Sequence, residues 1–151
     1  MNALAGTTAA PASTPGRQVR RAHMRLSRAL RDAIGLHGLS VGEFQLLRAL
    51  YHNDGLTQTE LSEDVEVEHG ALTRLFQSME AEGYIRRERD PADSRKRNVF
   101  LTARGKALRK GLLQAADDVN TLACRGISAE DVATTLRVLN HMVENLDGAD
   151  A

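Results

Sequence analysis

The chain changes its hydrophobic period once, between Gly83 and Thr102, and this change constrains the fold more than any other feature. Tyr84-Ile85-Arg86-Arg87 reads as a strand, Asp90-Pro91-Ala92-Asp93 as a turn, and Arg97, Val99 and Leu101 alternate with Asn98 and Phe100 as a second strand. Together they predict one β-hairpin. Elsewhere the apolar residues recur every three or four positions, the spacing of amphipathic helices.

Ahead of the hairpin, Val19, Ala22, Leu26, Leu30, Ala33 and Ile34 form the stripe of a first helix, closed by Gly35 and Gly38. Ser40 with Glu43 caps a second helix, whose apolar side holds Val41, Phe44, Leu47 and Leu50. Asn53-Asp54-Gly55 marks a turn. Thr57-Gln-Thr-Glu60 is a capping box for a short helix with Leu61 and Val65. A further helix runs from about Glu68 to Glu82, with Ala71, Leu72, Leu75, Phe76 and Met79 inward and Gly83 as its stop. These last two helices fit a helix-turn-helix, and the hairpin behind them is its wing. After the hairpin, Thr102 caps a long helix, expected as one piece to Cys124 despite Gly111, and Ser128 caps the last, striped by Val132, Leu136, Leu139, Val143 and Leu146. The fold class is mainly α with a small β-hairpin wing. Residues 1–16, rich in Ala, Thr, Ser, Gly and Pro, read as a disordered arm, and 17–151 as one domain.

The 151 residues carry 20 basic and 20 acidic side chains, a neutral total that conceals segregation. Residues 17–31 hold six arginines and no acid, and residues 54–68 hold six acids and no base. Residues 86–110 hold ten bases against Glu88, Asp90 and Asp93, a local net of +7 that can attract phosphates. The acidic block must then face away from a polyanion or lose its charge to local pairing. With aromatic residues at 3% and no Trp, a stacking surface for single strands is not expected. The one cysteine, Cys124, excludes an intramolecular disulfide and suits a reducing cytoplasm. No apolar run reaches the ~18–20 residues of a membrane span. No phosphate loop, nucleophile motif or clustered acid–base pair points to an enzyme, the five histidines lack paired ligand spacing, and neither metal nor cofactor is expected.

Four runs, Leu72-Thr-Arg74, Glu80-Ala-Glu-Gly83-Tyr-Ile-Arg-Arg87, Asp90-Pro-Ala-Asp93-Ser-Arg95 and Leu101-Thr102-Ala-Arg-Gly105, follow one another in order. In this order the chain resembles the multiple-antibiotic-resistance regulator (MarR) family of bacterial transcription factors, over about residues 17–146. The resemblance implies a winged helix over about 40–102 and a homodimer built by terminal helices over about 17–36 and 103–146. It also implies control of nearby genes, often released by a small ligand, in the cytoplasm.

An α-helix fits the major groove of B-DNA, so the segment Glu68–Glu82 is the natural reader. His69, Gly70, Thr73 and Arg74 lie in its N-terminal half. Gly70 permits close backbone approach, Thr73 suits a phosphate or a thymine methyl, and Arg74 suits guanine or a phosphate. A solvated His69 and an Arg74 paired with Glu66 are the plain alternatives. Glu66 and Glu68 oppose phosphates there, although Glu also accepts from cytosine. At the wing, the resemblance implies that Asp93 orients Arg95 toward a minor groove, with Lys96 and Arg97 on phosphates; a salt bridge that only stabilises the turn is the alternative. The family's effector position maps onto His37, Phe44, Arg48 and His52, where Arg48 can hold a small aromatic carboxylate or phenolate and an ordinary helix junction is the alternative. Two other functions stay open: a redox response through Cys124, and a winged helix that binds protein and no DNA.

Overall fold

The computed structural model describes residues 14–65 and 69–148. Its elements are α1 (Pro15–Gly35), α2 (Val41–His52), α3 (Gln58–Asp64), α4 (His69–Ala81), β1 (Ile85–Arg89), β2 (Arg97–Leu101), α5 (Ala103–Ala107), α6 (Arg109–Ala123) and α7 (Ala129–Asp147). The chain divides into two compact units, Met1–Val119 and Asn120–Ala151. Most of the arm expected at the N-terminus lies outside the described residues. Pro15 and Gly16 belong instead to α1, where proline at the first turn gives up no helical hydrogen bond.

The capping residues act as their spacing requires. Ser40 accepts from the Glu43 N–H and Thr57 from the Glu60 N–H, and each Glu returns to the cap backbone. In the first unit, α2 lies at the centre, touching α1, α3, α4 and β2. It buries Phe44, Leu46, Leu47, Leu50 and Tyr51, so its apolar surface is wider than the single stripe expected. Ile34 of α1, Leu39 ahead of α2, Leu61 and Val65 of the α3 segment, Leu72, Phe76 and Met79 of α4, Ile85, Val99 and Leu101 of the hairpin and Leu112 of α6 complete the core. Leu75 is only half-buried and Ala71 is exposed, which narrows the stripe expected for α4.

The hairpin is antiparallel, with Ile85 opposite Leu101 and Arg89 opposite Arg97. Residues 55–57 run along the outer edge of β2: the Gly55 N–H donates to the Val99 carbonyl at 3.0 Å, and the Val99 N–H donates to the Leu56 carbonyl at 2.8 Å. The Asp54 carboxylate accepts from the Leu101 N–H at 2.8 Å and pairs with Lys106 at 3.7 Å. The helix expected to run unbroken from Ala103 is interrupted at Leu108, and the ladder resumes with Leu112 N–H on the Leu108 carbonyl. Before that break, Gly105 is pressed against the wing: a Cβ there would stand 2.2 Å from the Tyr84 carbonyl oxygen.

In the second unit, the Ser128 hydroxyl caps α7 by accepting from the Asp131 N–H at 3.1 Å. No described residue of α7 is buried, and Leu136, Leu139, Val143 and Leu146 stand exposed.

Candidate nucleic-acid interface

The turn of the wing is built on two carboxylates. Asp90 Oδ1 accepts from the N–H groups of Ala92 and Asp93 at 2.8 and 3.0 Å, and its Oδ2 accepts from the Asn98 amide at 3.0 Å. These bonds hold the Asp90 carboxyl below the usual range. Asp93 then takes the backbone N–H of Arg95 at 3.0 Å, its Nε at 3.1 Å and its Nη2 at 3.3 Å. The Arg95 side chain binds and depresses the Asp93 carboxyl first, with the backbone bond second. The Asp93 side chain is 30% exposed and that of Arg95 89%. An exposed guanidinium is therefore held along its Nε and Nη2 edge by Asp93, which reduces the rotamer freedom it loses on docking.

Lys96 and Arg97 are exposed beside it. Cross-strand register adds a residue that the sequence reading omitted. Arg89 lies directly opposite Arg97, both exposed. Like charges in that position destabilise a hairpin by roughly 0.2–1 kcal/mol unless an anion joins them. Alternation along the strand was the only signal for it.

On α4, Gly70, Thr73 and Arg74 are exposed opposite the buried Leu72, Phe76 and Met79. The backbone of His69 opens the helix, while its side chain, Glu66 and Glu68 lie outside the described residues. Gln77 continues the same exposed face one turn on and was also missed; its amide suits adenine. A cleft between α3 and α4 is lined by Gln58, Thr59, Ser62 and Thr73, above Leu72 and Phe76. Its neutral donors suit a phosphate backbone, which the first helix of such a motif crosses. Two members of the acidic block are locally engaged: Asp54 as above, and Glu60 on Thr57.

Glu80, in the last turn of α4, grips β1. Its Oε2 accepts from Arg87 Nε at 2.9 Å and from Arg87 Nη2, and its Oε1 accepts from the Arg87 N–H at 3.3 Å. The Arg87 side chain is the dominant cause of a depressed Glu80 carboxyl.

The four residues mapped to an effector do not share one environment. Phe44 is sealed in the core at 1% exposure, Arg48 and His52 stand on the surface, and His37 lies against α6 at Gly111. Cys124 is half-buried beyond the end of α6. Among the described residues no cluster of His, Cys, Asp or Glu could hold a metal, and no helix is long and apolar enough to cross a membrane.

A sequence model of the MarR family matches residues 37–96, from the turn ahead of α2 through the turn of the wing. The fold agrees: a MarR transcriptional regulator from Methanosarcina mazei Go1 superimposes with a TM-score of 0.76 at 28% identity, over 86% of this chain and 94% of that one. Over these residues and in its fold, the chain is similar to the MarR family. Mutant MarR from E. coli complexed with operator DNA matches with a TM-score of 0.77 at 25% identity, over 84% of this chain and 91% of that one. The HTH-type transcriptional regulator TtmR of Methylorubrum extorquens is 34% identical over 82 residues, 54% of this chain. The match spans 42% of the length of TtmR. The relative and the structures matched are themselves named as transcriptional regulators or as MarR.

Proposed function

We propose that this chain is a MarR-family transcriptional regulator that binds double-stranded DNA as a homodimer on a pseudo-palindromic operator and acts in the cytoplasm as a ligand-responsive repressor. The observation that carries the reading is Arg95, held along its Nε and Nη2 edge by Asp93 yet exposed on a hairpin turn flanked by Lys96, Arg97 and Arg89. Such an arginine suits a narrow minor groove, whose negative potential is enhanced. The exposed face of α4, with Gly70, Thr73, Arg74 and Gln77, suits the adjacent major groove, with His69 at its start. Gln58, Thr59 and Ser62 fit the phosphates between them.

Dimerisation is supported by the apolar residues left exposed on the terminal helices: Val19, Met24 and Leu26 on α1, and Leu136, Leu139, Val143 and Leu146 on α7. Two copies put two readers about one helical turn apart, roughly 34–36 Å, on one face of the duplex. Within the same reading a small aromatic or phenolic effector releases the DNA, and Arg48 is the exposed cation of α2 available to its charge.

Selection of bound fragments from random duplex DNA tests the proposal. Enrichment of an inverted repeat, with affinity falling steeply as salt rises, is the expected result. An unenriched pool, or binding indifferent to salt, overturns it.

A further inference from the structure

We infer that the Glu80–Arg87 pair is a positioning clamp that sets the wing on the reader helix and thereby delivers Arg95 to DNA. The inference rests on the DNA-binding reading above and assigns a role to two residues that contact no DNA in it.

The connection from α4 to β1 is short and closed at three levels. Gly83, with φ of 74°, donates to the Glu80 carbonyl at 3.0 Å, and the Tyr84 N–H donates to the Met79 carbonyl at 2.9 Å, a Schellman ending that fixes the exit direction of the chain. The Thr102 hydroxyl then reaches the Gly83 and Tyr84 carbonyls at 2.6 and 3.1 Å, tying the end of β2 to the same turn. Farther along β1 the only link to α4 given by side-chain hydrogen bonds among the described residues is Glu80 with Arg87.

Register explains why that position matters. One face of the hairpin carries Ile85, Arg87 and Arg89 opposite Leu101, Val99 and Arg97. Its base is apolar and buried, and its outer end is cationic and exposed. Arg87 sits at the transition, with its side chain 20% exposed. Glu80 neutralises Arg87 with a forked bond, satisfies the outward N–H of β1 at that residue, and feels the charge of Arg97 as well. Without the carboxylate, three arginines share one face and an edge N–H loses its partner. The strand is then free to lift from α4, and Arg95 at its far end moves with it.

Simple electrostatics makes the opposite prediction. Removing an acid beside a DNA-facing surface ought to tighten binding, and an Arg87 that touched phosphate directly ought to matter while Glu80 did not. The test uses the full chain and a duplex that the parent protein has enriched from random sequence. Affinity is measured by fluorescence anisotropy well below the melting temperature of every variant. Glu80→Ala is expected to weaken binding about tenfold, Arg87→Ala about equally, and the double variant no further, because the pair acts as a unit. Arg95→Ala, worth about tenfold in the parent, is expected to cost less than about twofold in the Glu80→Ala background. A purely structural role would leave that second factor unchanged. Glu80→Gln, which keeps an oxygen for the Arg87 N–H, is expected to fold like the parent and weaken binding about threefold, so the test survives a poorly folding alanine variant. Equal or tighter binding by Glu80→Ala and Glu80→Gln, or an undiminished cost of Arg95→Ala in either background, overturns the clamp alone. A parent chain that enriches no duplex overturns the DNA reading and the clamp together.

Discussion

Arg95 combines near-complete exposure with a guanidinium edge held by Asp93, and this combination gives the residue-scale prediction for function. Arg95→Ala removes the guanidinium and is expected to cost about 1–3 kcal/mol of operator binding. Asp93→Ala keeps the charge of Arg95 but frees its rotamers, so it should weaken binding less, in the same shift assay, with the melting temperature of Arg95→Ala close to that of the parent. Gly105 supplies the matching prediction for stability. Its missing side chain lets α5 close on the Tyr84 carbonyl, and its own carbonyl accepts from the Tyr51 hydroxyl at 2.8 Å. Burial pushes the Tyr51 phenol up to about 12, against a smaller opposing pull from Arg109, so it stays a neutral donor. Gly105→Ala should destabilise by roughly 1–3 kcal/mol or more, because backbone must move, and Tyr51→Phe by about 0.5–1.5 kcal/mol, both read from urea unfolding. The Leu-Thr-Ala-Arg-Gly run was legible in the sequence as a family signature. The reason for its glycine was not, since the atom that excludes a side chain belongs to Tyr84, remote along the chain.

Among the elements, α4 is where sequence pattern and packing differ most usefully. Helical spacing alone places Leu72, Leu75, Phe76 and Met79 on one stripe, but the neighbours of α4 cover only part of it. Phe76→Ala is expected to cost about 3–5 kcal/mol and Leu75→Ala clearly less, since Phe76 is fully enclosed and Leu75 half-exposed. The wing contributes a pH dependence. Glu80, Asp90 and Asp93 all have carboxyls held below their usual values of 4.5 and 3.8, respectively by Arg87, by the turn N–H groups and by Arg95. A depressed carboxyl stabilises the fold above its unfolded value and loses that contribution as pH falls through its folded one. Melting temperature is therefore expected to hold near neutrality and to drop as acid protonates these groups, with Asp90→Ala flattening part of the fall. The hairpin itself was readable from alternation and from Asp90-Pro91-Ala92-Asp93. The Arg89–Arg97 pairing needed the register, which alternation leaves free by whole steps.

For the molecule as a whole, the second unit sets the main prediction. An amphipathic helix with no buried residue is not a stable end state in water, because its apolar face forfeits roughly 1.5–3 kcal/mol for each large side chain left uncovered. If a second copy covers it, Leu139→Asp with Val143→Asp should convert a dimer into a monomer in sedimentation velocity and weaken binding to an inverted repeat far more than to a single half-site. A dimeric double variant would place the association elsewhere. Charge segregation bears on the same scale. The formal total of zero says nothing about polyanions here, since the cationic wing and the engaged acids Asp54 and Glu60 are handled locally.

By itself the sequence determined the order of helices and hairpin, because periodicity, capping boxes and glycine stops are local and are written in adjacent residues. It also determined the Asp93–Arg95 tether, whose partners stand two positions apart. Only the tertiary structure decided which apolar residues are covered, why Gly105 must lack a side chain, that Arg89 faces Arg97, and that Glu80 closes on Arg87. Those facts depend on which surfaces meet, and a short-range pattern restricts such meetings without naming the atoms that make them.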